Sequence, residues 1–184
     1  MKLAILDRDG VINQDSDDYI KSPEEWIPIE GSLQAVARLN RAGYRVFLAS
    51  NQSGLGRGLF SIETLHDIHR KLVEELERQG GHIDGILFCP HTPDEQCNCR
   101  KPKPGLLLEI AHRANQNLRG VPVIGDSYRD LQAALSVEAM PILVRTGKGE
   151  RTLREHRREL DKILVFDDLA GAVDMLINRE AAPS

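Results

Sequence analysis

No apolar run in the sequence approaches the roughly 20 residues needed to cross a bilayer, so no membrane partner is expected. Positive charge is not in excess either: 24 Lys and Arg stand against 28 Asp and Glu, a formal net charge of −4. That balance argues against nucleic acid as a partner, because a polyanion selects a basic surface. There are only 3 cysteines, all between Cys89 and Cys99. They are too few and too clustered for a secreted disulfide framework. No internal repeat or low-complexity tract is present. The opening MKLAILD passes at once from apolar residues to charge, which predicts a strand rather than a secretion signal. The 184 residues, 41% hydrophobic and 28% charged, suit a single domain over 1–184 with a substantial core. A cytoplasmic monomer is the expected state.

Apolar runs predict strands at 2–7, 44–50, 86–89, 121–125, 141–144 and 163–166. Helical spacing predicts helices at 32–42, 61–79, 106–114, 128–135 and 169–177. Ser61 is placed to cap the longest of these, and Gly43 and Gly80-Gly81 to stop the helices before them. Residues 8–30 read as polar and irregular, with a Pro-started helical turn at Ser22-Pro23-Glu24-Glu25. Residues 51–60 and 90–104 read as loops, 151–162 as a solvated charged helix, and 180–184 as frayed. His66 and His69 read as ordinary positions near the surface stripe of the long helix, and Gly147-Lys148-Gly149 as a turn. Strands alternating with helices predict an α/β fold, a parallel doubly wound sheet covered on both faces. In such sheets ligands lie beyond the carboxyl ends of the strands.

The chemistry falls at those ends. The first strand runs into Asp7-Arg8-Asp9-Gly10 and the second into Ser50-Asn51-Gln52-Ser53-Gly54. Arg100-Lys101-Pro102-Lys103-Pro104-Gly105 precedes a helix, and Gly125-Asp126-Ser127 follows a strand, with Asp130 one turn later. Each group alone also fits an ordinary turn. Together they supply what phosphoryl transfer needs. Two carboxylates one residue apart on extended backbone point different ways, so one can attack while the other handles the leaving-group proton. A carboxylate nucleophile divides a difficult hydrolysis into two steps through an acyl phosphate. Mg²⁺ takes oxygen ligands, and Asp7 with Asp126 suits it. A hydroxyl and a lysine can hold the equatorial oxygens of the transferring group.

This set of four segments resembles the motifs of the haloacid dehalogenase (HAD) superfamily of phosphatases, from residue 2 to about 145. The resemblance implies a Rossmann-type parallel sheet, here without a large cap domain. It implies Asp7 as nucleophile, Asp9 as general acid and base, and Ser50 and Lys101 as phosphoryl ligands. Mg²⁺ would be held by Asp7, Asp126 and the Asp9 carbonyl. Asp130 would either support the metal directly or stand as its water-linked neighbour. Lys103, at the variable position of the motif, reads as a solvated lysine.

Cys89-Pro90-His91 and Cys97-Asn98-Cys99 put four soft or borderline donors on one short loop. That is the number a closed tetrahedral Zn²⁺ site requires, and the loop has little apolar content to fold it otherwise. Arg100 and Lys101 follow directly, placed to offset the thiolate charge and to face the phosphate site. Within the superfamily this loop resembles those of the heptose-bisphosphate phosphatases and the related histidinol-phosphate phosphatases. Asp7 to Asn13, and Ser50 to Gly54 followed by Arg57-Gly58, favour the former. A phosphosugar substrate is then implied, with the C7 phosphate removed and the product passing to ADP-heptose synthesis for lipopolysaccharide. Histidinol phosphate is the alternative. The resemblance assigns substrate contacts to Asp15, Asp18, Tyr19, Asn51, Gln52, Ser53 and Arg100. Ser50 stands where threonine is usual, and the 15–19 segment aligns with a small length shift.

Overall fold

Leu3, Ala4, Ile5 and Leu6 are all buried because β1 (Lys2–Leu6) lies inside the sheet with apolar layers on both faces. Ala4 and Leu6 point into one core while Leu3 and Ile5 point into another, as the two-residue side-chain period requires. The next strand, β2 (Tyr44–Asn51), divides the same way: Val46 and Leu48 to the first core, Phe47 and Ala49 to the second. The structure, a computed structural model, describes residues 2–181.

The remaining strands are β3 (Gly85–Cys89), β4 (Pro122–Gly125), β5 (Met140–Val144) and β6 (Leu164–Phe166). The sheet has six parallel strands in the order β3-β2-β1-β4-β5-β6. Helices α1 (Ser32–Arg41), α3 (Ile62–Arg78) and α7 (Leu169–Ala181) supply Leu39, Leu72 and Val173 to the first core. On the other face, α4 (Gly105–Ala114) and α5 (Tyr128–Ser136) supply Leu107, Ile110 and Ala134. Two short helices, α2 (Ser53–Gly56) and α6 (Gly149–Glu155), sit at the carboxyl end of the sheet. The expected α/β architecture is therefore present, and among the described residues no connection builds a separate cap layer. The chain order reverses between β1 and β4, which opens the crevice where ligands of doubly wound sheets bind.

Most expected elements stand within a residue or two of their observed bounds, and Ser61 caps α3 by accepting from the Thr64 amide at 3.1 Å. Three expectations need correction. The 51–60 loop contains the helical turn α2, whose Gly56 amide donates to the Pro90 carbonyl at 2.9 Å. The charged 151–162 stretch is helical only to Glu155, because Leu160 turns inward to pack with Leu131 and Leu143. The expected frayed end begins later, since α7 continues through Ala181; residues 182–184 lie outside the described residues.

The irregular segment after β1 is anchored more firmly than its polar composition suggests. Val11, Ile12, Ile20 and Trp26 are buried in the first core. The Lys71 ammonium donates to the carbonyls of Pro23 and Trp26 at 2.7 and 2.9 Å and lies 5.7 Å from the centre of the Trp26 ring. The segment is thus fastened to α3 by one indole and one lysine. Replacing Trp26 with Ala should lower unfolding free energy by about 3–5 kcal/mol, read as a fall in the urea midpoint. A loss below about 1 kcal/mol, the range of ordinary surface changes, would show that Trp26 is not the anchor.

Candidate active site

The reversal of chain order brings together Asp7, which follows β1, and Asp126, which follows β4. The Asp7 amide continues the sheet by donating to the Ile124 carbonyl at 2.9 Å. Asp126 is enclosed by backbone: its Oδ2 accepts from the Lys148 amide at 2.8 Å. A Cβ added at Gly10 or Gly147 would lie 2.0 or 2.3 Å from the same oxygen, and both glycines have positive φ. Only glycine meets both demands there. Asp130, in the first turn of α5, accepts from the Ser127 amide and hydroxyl at 3.0 and 2.8 Å. Its other oxygen faces the Lys101 ammonium at 2.5 Å. That ammonium also lies 3.2 Å from Asp7 and donates to the Ala49 carbonyl at 2.7 Å.

Asp7, Asp126 and Asp130 offer carboxylate oxygens that all lie within 4.8 Å of one another. Three carboxylates against one ammonium leave negative charge uncompensated. Burial and the Asp130 charge push Asp7 up to about 7 despite Lys101. Burial, then Asp7 and Asp130, raise Asp126 well above the usual carboxylate range. Burial works against the Lys101 charge, but Asp130 and Asp7 outweigh it and raise its pKa. An all-oxygen donor set in mutual repulsion is the environment a hard divalent cation relieves. The set includes Asp130, which sequence reading left open, and excludes the Asp9 carboxylate.

The Asp9 carboxylate is committed elsewhere. Arg8 donates to its two oxygens from Nε and Nη2 at 2.9 and 3.1 Å, Asn13 from Nδ2 at 2.9 Å and Gln52 from Nε2 at 3.0 Å. Burial would raise its pKa, but Arg8 and these amide donors outweigh it and hold the carboxyl below its usual range. Arg8 is wholly buried, and its Nη1 lies 3.1 Å from His69 Nε2. Guanidinium only donates, so Nε2 is the acceptor and His69 is neutral. Sequence reading put His69 near the surface stripe of α3, whereas it is 8% exposed. Its spacing four after Leu65 and three before Leu72 was the available signal. Burial and the Arg8 charge push His69 down to about 3. The unfolded chain, with His69 near 6.5, therefore binds more protons in this window. Stability from this group is complete above pH 6.5 and declines as pH falls toward 3. Between pH 7 and 5 the loss should be about 2 kcal/mol in urea titrations. His69→Gln should remove that part of the slope; an unaltered slope would place the protonation elsewhere.

Asp7, Asp9 and Lys101 line a cavity of about 200 Å³ together with Asp15, Tyr19, Asn51, Gln52 and Ser53. Tyr19 enters from a backbone at φ 67°, a rare conformation for a bulky residue. Ser50 is buried behind the cavity, its hydroxyl accepting from Gln52 Nε2 at 2.7 Å. Asp18 and Arg100 do not line the cavity. Asp18 is exposed, with its carbonyl accepting from Lys21. Sequence reading did not single out Arg129 and treated Lys148 as part of a plain turn, yet both line the cavity. The Lys148 ammonium lies 2.8 Å from Asp15. Neither bears a motif of its own, since only the fold carries α5 and the β5–α6 turn to this rim.

Beside the cavity, the ligand atoms of Cys89, His91, Cys97 and Cys99 lie within 4.8 Å of one another. Cys89 Sγ is 3.6 Å from Cys97 Sγ and 3.1 Å from Cys99 Sγ, and His91 Nδ1 is 3.3 Å from Cys99 Sγ. Sulfurs at these separations are not bonded. They approach the edge of about 3.8 Å that a tetrahedron with metal–sulfur bonds of about 2.3 Å requires. Arg100 and Lys101, both expected to offset the thiolate charge and to face the phosphate site, take different places. Arg100 stays with the loop, its amide donating to Cys97 Sγ at 3.3 Å, while Lys101 turns its ammonium to the carboxylates. The Lys101 backbone is clamped by Asn51, whose side-chain oxygen and nitrogen each form a 3.1 Å hydrogen bond to it.

The chain matches two family models, described as polynucleotide kinase 3 phosphatase over residues 2–128 and HAD-hydrolase-like over residues 98–172. A D-glycero-beta-D-manno-heptose-1,7-bisphosphate 7-phosphatase of Pseudomonas putida is 54% identical, covering 96% of this chain and all of that protein. A Neisseria meningitidis protein of the same name is 51% identical over all of this chain and 98% of its own length. The crystal structure of D,D-heptose 1,7-bisphosphate phosphatase from B. bronchiseptica, complexed with magnesium and phosphate, superposes with a TM-score of 0.94. It is 52% identical, and the match covers 97% of this chain and 99% of that one. Identity at this level over whole chains, on the same fold, makes this chain a member of the D-glycero-D-manno-heptose-1,7-bisphosphate 7-phosphatase family of HAD-like hydrolases.

Proposed function

We propose that the protein hydrolyses the C7 phosphate of D-glycero-D-manno-heptose 1,7-bisphosphate and leaves the C1 phosphate in place. The observation that carries this reading is Asp7, a carboxylate at the switch point of the sheet, facing a cavity and flanked by a buried lysine and two further carboxylates. Relatives at half identity bearing the heptose-bisphosphate name favour this substrate over histidinol phosphate.

Asp7 is the nucleophile. Its carboxylate oxygen forms the bond to phosphorus as the bond to the C7 oxygen breaks, which gives an aspartyl phosphate. Asp9 protonates the departing C7 oxygen. It then takes a proton from the water that attacks phosphorus and frees Asp7. In the free enzyme Asp9 is held ionised by Arg8, Asn13 and Gln52, so it takes up a proton from solvent as substrate enters and then gives that proton to the departing C7 oxygen. Lys101, Ser50 and the Asn51–Ser53 turn hold the phosphoryl oxygens. Asp15 and Tyr19 face the sugar. Mg²⁺ fits Asp7, Asp126 and the Asp9 carbonyl, with Asp130 completing the acidic set, and when bound it supplies charge neutralisation for the phosphate.

Zn²⁺ fits the Cys89, His91, Cys97 and Cys99 set in a closed structural site. Burial and the Cys99 and Cys97 thiols raise the pKa of Cys89, while the Arg100 amide, opposing burial, lowers Cys97 to about 6. Cys97 is thus already disposed to the thiolate form that ligates metal. The site lies two residues before Lys101, so it sets where that lysine enters the cavity.

Phosphate release from heptose 1,7-bisphosphate and from histidinol phosphate tests the substrate. Turnover should favour the heptose by a wide margin, and equal turnover would sink the specificity. Asp7→Asn should lose activity by roughly 10³-fold or more, and an active variant would remove Asp7 from the nucleophile role. Cys99→Ser should lose zinc by elemental analysis and weaken substrate binding. Full activity in zinc-free protein would end the positioning role.

A further inference from the structure

Helix α3 buries a stripe of Leu65, Ile68, Leu72 and Leu76, and one imidazole interrupts it. A polar side chain in such a place lowers stability unless it is paired. The partner of His69 is Arg8, whose Nη1 lies 3.1 Å from Nε2 of the ring. Phe88 packs beside the imidazole, its ring tilted by 53° at a centroid distance of 6.0 Å. The rest of the Arg8 fork holds Asp9, with Nε on Oδ1 at 2.9 Å and Nη2 on Oδ2 at 3.1 Å. Asp9 lines the cavity, whereas Arg8 and His69 do not. The pair therefore meets the general acid from behind, on the side away from substrate. A leucine at 69 would suit the stripe and would leave Nη1 without this acceptor. The helix departs from its own apolar pattern at the position that faces Arg8.

We propose that His69 is a positioning residue for proton transfer to the leaving group: by holding Nη1 of Arg8 it fixes the guanidinium plane, and through that plane the direction of the Asp9 carboxylate. The inference rests on the phosphatase reading above, with Asp9 as the general acid. A carboxylate gripped by two nitrogens of one planar fork turns with that fork. Arg8 and Asp9 are also near neighbours in the chain, so their two mutual hydrogen bonds leave them able to swing as a unit. The third nitrogen ties the unit to a helix 61 residues further along the sequence. Asn13 and Gln52 donate to Asp9 as well, one oxygen each. Gln52 lines the cavity and also serves the Ser50 hydroxyl, so its grip changes when substrate enters. The link from His69 through Arg8 lies out of substrate's reach and keeps its geometry through the reaction. Proton transfer needs the acid within hydrogen-bond reach of the departing oxygen, and a small misplacement slows it strongly.

Substitutions at 69 that differ in where they offer an acceptor test this role. The amide of glutamine reaches the place of imidazole Nε2, that of asparagine only the place of Nδ1, and phenylalanine keeps a ring without an acceptor. His69→Asn and His69→Phe should lower kcat on heptose 1,7-bisphosphate by roughly 10-fold or more. KM should stay close to wild type, because the residue does not meet substrate. His69→Gln should recover most of the loss. p-Nitrophenyl phosphate, whose leaving phenolate needs little protonation, should lose far less kcat/KM in the same preparations. The ratio between two substrates in one preparation does not depend on how much of the protein is folded, so reduced stability cannot imitate this result. Equal kcat in the Gln and Asn variants, a loss shared in the same proportion by both substrates, or a loss confined to KM would overturn the positioning role. Where the aryl ester is turned over too slowly to measure, the contrast between Gln and Asn, with kcat referred to the folded fraction, decides alone. Wild type that fails to hydrolyse heptose 1,7-bisphosphate would instead remove the reading on which the inference rests.

Discussion

One buried ammonium makes the active site compatible with a folded protein. Lys101 lies between Asp7 and Asp130 and is 3% exposed. Buried carboxylates without a partner would each carry a large desolvation penalty, and three of them crowd this crevice. Lys101 offsets part of that charge and leaves part, so the site stays intact while retaining a strong bias toward further cations. The placement of this one side chain depends on two different kinds of support. The Asn51 amide fixes its backbone from the end of β2, and the Ala49 carbonyl fixes its ammonium. The thiol cluster two residues earlier closes the loop from the other side.

The two aspartates of the Asp-Arg-Asp segment illustrate how one turn can give like residues opposite properties. Asp7 faces other carboxylates and is pushed up toward neutrality, whereas Asp9 faces Arg8 and is held ionised. Neighbouring charge, and not residue type, therefore decides how each of these two carboxyls titrates. Arg8, buried between Asp9 and His69, performs the separation. It is tolerated inside the protein because its donors meet the neighbouring Asp9 carboxylate and the His69 ring that α3 brings to it.

Backbone does as much as side chains. Asp126 is enclosed by Gly10, Gly147 and the Lys148 amide, three contributions from two connections far apart in sequence. The Thr146 hydroxyl donates to the Gly10 carbonyl at 2.6 Å and ties those connections together. The crevice is therefore held by main-chain contacts on the side of its three clustered carboxylates. Its opposite wall, formed by the irregular segment that carries Asp15 and Tyr19, rests on Trp26 and Lys71 and meets that side through the Lys148–Asp15 pair.

The amino-acid order by itself determined the sheet, since an apolar run such as Leu3 to Leu6 is stable only between two covering layers. It determined the carboxylates at the strand ends, because a parallel sheet puts every such end on one edge. It determined the thiol set, because four donors within eleven residues cannot be far apart. Only the tertiary structure decided the partners. Whether Lys101 faces thiolates or carboxylates, and whether His69 faces water or Arg8, depends on segments dozens of residues away. Whether Arg129 and Lys148 share a cavity with Asp7 depends on the crossovers that carry α5 and α6 to the same rim. Local sequence reports what a residue can donate, accept or coordinate. The meeting of those capacities across long chain separations is set by which faces the core must bury, and that is a property of the whole fold.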